Sequence, residues 1–90
     1  MTFEEKVDRE MLMVRRLLLA KDRDYGSANL DKHGIVGITI RMSDKLARLE
    51  NVMMKKECAV PEKVEDTLRD LIGYAIQYLI RLEKGAANEG

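Results

Sequence analysis

Three carboxylates, Glu62, Asp66 and Asp70, stand four residues apart in the segment 61–70, Pro-Glu-Lys-Val-Glu-Asp-Thr-Leu-Arg-Asp. A step of four residues advances about 400° around a helix, so all three share one stripe. Like charges at that spacing repel by a few tenths of a kcal/mol per pair. The stripe therefore calls for compensation from outside its own helix, by basic side chains or by a divalent cation. Glu62 and Asp70 are about 12 Å apart along the helix axis and cannot ligate one ion together. Neighbours in the stripe can, with a carboxylate from a second helix. A hard cation such as Mg²⁺ takes oxygen ligands and keeps several waters. Asp44, Asp66 and Asp70 are the candidate metal ligands. Glu62 and Asp66 are the candidate catalytic carboxylates, Glu62 as an outer ligand or base.

A second cluster has the opposite sign. Arg41–Lys45 and Asp44–Arg48 are four residues apart and Arg41–Asp44 three, which gathers the four on one helix face. A plain reading is a solvated salt-bridge face, worth a few tenths of a kcal/mol per pair. The functional reading is that Arg41, Lys45 and Arg48 supply countercharge to phosphate oxygens. Metal bridged to phosphate is a common arrangement for catalysis on nucleotides. The Asp24-Tyr25-Gly26 segment is either an ordinary turn or a ligand contact. In the second case Tyr25 stacks on a base while Lys21, Asp24 or Asn29 meets the sugar or base edge. His33 has no His or Cys partner at ligand spacing, which argues against zinc. Cys58 has no catalytic base near it in sequence. A Gly-rich phosphate loop and a Gly-x-Ser-x-Gly elbow are both missing.

Three helices are needed to position these groups, and the spacing predicts them at about 3–21, 36–56 and 61–84. Thr2 and Glu5 have the spacing of a capping box, and Phe3, Val7, Met11, Val14 and Leu18 repeat at helical intervals. Asp22 to Ser27 carries turn signals, and Asn29 to Gly34 extends the connection. Ile35, Val36, Ile38, Thr39 and Ile40 are β-branched and suit a strand. Ile38, Met42, Leu46, Leu49 and Met53 nevertheless continue one helical stripe, and no second strand is available to pair. Pro61 suits a first helical turn, Lys84 the last turn and Gly85 a C′ position, leaving 86–90 as a frayed tail. The third helix is apolar on two sides. Val64, Leu68, Leu71, Ala75, Leu79 and Leu82 form one stripe; Ile72, Ile76 and Ile80 form another. A three-helix monomer has little surface to cover both, so the expected fold is all-α, one domain per chain, completed as a helical bundle by homo-oligomerisation.

Composition narrows the class. Ninety residues make one small domain, and a chain of that length buries only about 60–65% of the surface its unfolded form exposes. The 16 basic and 16 acidic side chains cancel, so the basic excess of a non-specific nucleic-acid binder is missing. The polar, acidic start is unlike a signal peptide, and no apolar run approaches the roughly 20 residues that span a bilayer. With a single cysteine, the expected setting is the reducing cytoplasm.

Three ordered motifs carry a family resemblance: Lys21-Asp-x-Asp-Tyr-Gly26, Ile40-Arg-Met-Ser-Asp-Lys-Leu-Ala-Arg-Leu49, and Glu62-x-x-x-Asp-Thr-Leu-x-Asp-Leu-x-x-Tyr-Ala75. Over about residues 17–82 the chain resembles the bacteriophage nucleotide modification associated domain (type 1) family, whose similar proteins are labelled MazG-like. The resemblance implies an all-α nucleoside triphosphate pyrophosphohydrolase type of fold, in which paired helices of an oligomer bind Mg²⁺ and a nucleotide. The hallmark of that type is Glu-x-x-Glu on one helix and Glu-x-x-Asp on the next. Here the second helix offers Asp44 among bases, and the third offers Glu-x-x-x-Asp-x-x-x-Asp. Three functions follow as expectations: a Mg²⁺-dependent hydrolase of the nucleotide pool, a protein that binds or sequesters a nucleotide without turnover, or a structural helical protein.

Overall fold

The computed structural model describes residues 1–26, 28–55 and 63–89, the side chains of 29, 55 and 84–89 excepted. Three helices and no strand occur among them: α1 (Phe3–Tyr25), α2 (Ala28–Lys55) and α3 (Val64–Glu89). The β-branched segment 35–40 is helical, and Thr39 turns its hydroxyl back to donate to the Ile35 carbonyl at 2.7 Å.

Local chemistry explains the start of α1. The Thr2 N–H donates to Glu5 Oε1 at 2.9 Å while the Glu5 N–H donates to Thr2 Oγ1 at 3.1 Å, a reciprocal capping box. The hydrogen bond with the Thr2 backbone, aided by the Thr2 side chain, holds the Glu5 carboxyl below its ordinary range. The helix runs one turn beyond the expected Lys21, to Tyr25, although of Asp22, Arg23 and Asp24 only Arg23 complements the helix dipole there. It stops at Gly26, whose N–H bonds the Asp22 carbonyl at 2.8 Å.

The connection expected over 29–34 is instead helical from Ala28, and the interruption falls at Gly34 (φ 60°, ψ −153°). That conformation is essentially confined to glycine. A short helical segment and a long one therefore meet at a kink, with Gly26 (φ 70°) marking the other end of the short segment. In α3 the helix continues through Gly85 to Glu89, so the expected stop and the frayed tail are not found. Pro61, Glu62 and Cys58 lie outside the described residues.

α3 packs against both α1 and α2. Ion pairs cross both helix interfaces. Glu10 receives Arg69 Nε at 2.9 Å and Lys21 meets Asp70 at 3.1 Å, tying α1 to α3. Lys45 meets Asp70 at 3.0 Å and Arg81 meets Asp31 at 2.9 Å, tying α2 to α3. The inward side of α3 carries Thr67, Asp70, Gly73, Tyr74, Gln77 and Arg81, buried or half-buried, with Leu71, Ala75, Ile76 and Tyr78 half-buried beside them.

The apolar stripes lie largely outside this packing. Ile72 is 47% exposed and Leu79 63%, while Leu68, Ile80 and Leu82 are exposed too. On α1 the stripe buries Val14 but leaves Phe3, Val7 and Met11 in the open; on α2 it buries Ile38 but exposes Leu46 and Met53. Val14 and Ile38 are the only fully buried hydrophobic side chains among the described residues, at 2% and 0% exposure. No helix among them is long and apolar enough to cross a membrane.

Candidate functional site

The last two turns of α1, the start and middle of α2 and the middle of α3 enclose a cleft of about 380 Å³. α1 contributes Leu17, Leu18, Lys21 and Tyr25; α2 contributes Leu30 and Arg41; α3 contributes Asp70, Tyr74 and Gln77. The walls near α1 are apolar, and the polar groups converge from opposite sides. This combination of apolar lining and a few fixed polar groups is what small-molecule sites share.

Asp70 organises the charge. Its Oδ1 is 3.1 Å from Lys21 Nζ and its Oδ2 is 3.0 Å from Lys45 Nζ, so one carboxylate holds a lysine from each neighbouring helix. Burial pushes the Asp70 carboxyl up, but the hydrogen bonds from Lys45 and Lys21 outweigh it and hold the group below the usual aspartate range. Lys21 also lies 5.8 Å from the centre of the Tyr74 ring, within reach of a cation–π attraction. Arg41 differs from these. It is half-buried, lines the cleft, and engages no carboxylate among the described residues.

Of the residues singled out by type and spacing, the structure gathers Lys21, Tyr25, Arg41 and Asp70 around the cleft, with Lys45 on the far oxygen of Asp70. Tyr25 is 77% exposed at the mouth. Asp24 and Asp44 are exposed and outside the lining, and Arg48 is half-buried further along α2. Asp66 turns to its own helix, 3.7 Å from Arg69. Glu62 and the Asn29 side chain lie outside the described residues. Tyr74 stands in the third family motif but was given no site role, and Gln77 was not anticipated. Their signal was present: Asp70, Tyr74 and Gln77 follow at four and three residues, one stripe that the louder apolar pattern of α3 conceals.

The donors offered to a magnesium ion do not fit one. Among the described residues no three His, Cys, Asp or Glu side chains converge. Asp44, Asp66 and Asp70 are not brought together, and both Asp70 oxygens already accept from ammonium groups. A cation placed there faces two lysines instead of a ring of oxygens.

Residues 21–82 match the family described as nucleotide modification associated domain 1. The chain belongs to that family. The match begins at Lys21 and ends at Leu82, so this family's domain holds every polar group of the cleft. No curated protein and no solved structure matches the chain.

Proposed function

We propose that this nucleotide modification associated domain binds a phosphorylated nucleotide in the cleft between α1, α2 and α3, without turning it over in the single chain. Arg41 carries the reading: a half-buried guanidinium lining a cleft, with no carboxylate partner among the described residues. A guanidinium in that state is a planar, permanently charged fork suited to phosphate oxygens. Lys21 stands opposite and adds a second cation. The two tyrosines offer faces for a base, Tyr25 at the mouth and Tyr74 within, and Gln77 offers an amide that both donates and accepts towards a base edge. A family associated with nucleotide modification is consistent with such a ligand.

Binding without turnover is the simpler reading of one chain, because Asp44, Asp66 and Asp70 do not converge into an oxygen cage among the described residues. We propose further that the working form is a homo-oligomer, since the exposed apolar stripes of all three helices need covering. Calorimetry of the full chain against a panel of nucleotides, with product analysis of the same mixtures, tests both parts. Saturable binding that Arg41→Ala weakens, with the nucleotide recovered intact, is the expected result. Stoichiometric release of pyrophosphate would replace the binding reading with the hydrolytic one, and absence of binding to any nucleotide would remove both.

A further inference from the structure

Arg81 joins Gln77, in the α3 wall of the cleft, to the short helical segment that carries Leu30. Its side chain is only 9% exposed, and its Nη2 donates to Asp31 at 2.9 Å, just before the Gly34 kink. Its Nη1 donates to Gln77 Oε1 at 2.6 Å and to the Gln77 carbonyl at 3.3 Å. Taken alone, the Gln77 amide can turn either end to a ligand, since its oxygen accepts and its nitrogen donates. Arg81 removes that choice. A guanidinium has five donors, no acceptor and a permanent charge, so only the amide oxygen can lie 2.6 Å from it. Flipping the amide sets N–H against N–H, beside a guanidinium whose buried Nε already has no acceptor among the described residues. The amide nitrogen is left for the cleft that Gln77 lines, and it donates to no described residue.

We propose that Gln77 reads the base of the nucleotide as a fixed hydrogen-bond donor. The cleft then selects nucleotides of uracil, thymine, hypoxanthine or guanine, which carry a carbonyl oxygen where cytosine and adenine carry an amino group. The inference rests on the nucleotide-binding reading above. Tyr74 and Gln77 are three residues apart and neighbours on one face of α3, so a base laid against the Tyr74 ring turns an edge to the amide. A carbonyl oxygen there accepts from the Gln77 nitrogen. An amino group meets it donor to donor and leaves both unpaired. Arg81, held by Asp31, is the positioning residue: it acts through Gln77, by fixing which end of the amide faces the ligand.

The test is calorimetry of the full chain with matched pairs, the 5′-mono- and triphosphates of uridine against cytidine and of inosine against adenosine, in a chelator and at constant ionic strength. Wild type is expected to favour the uridine and inosine ligands by about tenfold, the size expected when one hydrogen bond gives way to two unpaired donors. Gln77→Glu keeps an oxygen for Arg81 and turns a second oxygen to the cleft. Its added charge weakens both members of a pair alike, so the ratio reads the base, and that ratio should invert towards cytidine and adenosine. Arg81→Met frees the amide to flip and should bring the ratio close to one; an unchanged ratio in that folded variant overturns the role given to Arg81. Circular dichroism checks folding, and where a variant does not fold the wild-type ratio decides. Equal affinity in wild type within the pairs that bind overturns the base-reading proposal, as does a ratio that folded Gln77→Glu leaves unchanged. Either result leaves nucleotide binding standing. Failure of every nucleotide to bind overturns both.

Discussion

Protonating Asp70 releases two lysines at once, and this gives the fold an acid limit. Its carboxyl is held below the ordinary aspartate range in the folded chain, so the unfolded chain binds a proton first as pH falls. The stabilisation is complete above the ordinary value of about 4 and is lost as pH drops through the depressed folded value. Glu10, held low chiefly by its hydrogen bond from Arg69, acts in the same sense. Thermal melts should therefore change little from neutrality to mildly acid pH and then fall. Asp70→Asn should show a shallower acid decline, and an identical decline would mean that the lysine pairs contribute nothing. At the cleft itself, Arg41→Ala should weaken nucleotide binding by about 1.5–3 kcal/mol, the worth of hydrogen bonds to a charged group. Tyr74→Ala should flatten discrimination among bases while leaving inorganic phosphate affinity in place; competition assays read both.

α2 is where sequence and structure part most instructively. Its helical stripe from Ile38 to Met53 was legible, because periodicity needs no knowledge of neighbours. The kink at Gly34 was not, since a glycine among turn-like residues signals a break without saying whether helix resumes before it. Gly34→Ala is expected to cost about 1–3 kcal/mol, read as a lower urea midpoint, because a Cβ there is strained whatever space surrounds it. No change in midpoint would show that the kink relaxes freely. For α3 the two apolar stripes were legible but their direction was not. Period gives the faces of a helix and leaves open which face meets which neighbour. The polar stripe from Thr67 to Arg81 turned inward, with Leu71, Ala75 and Ile76 half-buried beside it, and ion pairs from Lys21, Asp31 and Lys45 reach across to that stripe. Lys21, Tyr25, Arg41 and Asp70 were identifiable by residue type alone; that they share one cleft depends on this tertiary choice.

Among the described residues a polar stripe of α3 faces inward while much of the apolar surface of all three helices faces outward. Ile72, Leu79, Leu82 and the Phe3–Met11 stripe of α1 are expected to be covered by further copies of the chain, and light scattering at micromolar concentration should report a dimer or larger. Leu79→Asp should shift that distribution towards monomer. A wild-type chain that stays monomeric across the accessible concentrations would refute the assembly. The thin interior also has a calorimetric consequence. Heat capacity rises on unfolding in proportion to the apolar surface newly wetted, ordinarily by about 12–15 cal/mol/K per residue. With Val14 and Ile38 alone fully enclosed among the described hydrophobic side chains, and others only half-buried, an isolated chain has less such surface to wet than its length implies. Its stability curve should be broad and shallow, without a sharp optimum temperature. Assembly should restore the missing increment, so dilution would flatten the curve as well as lower it.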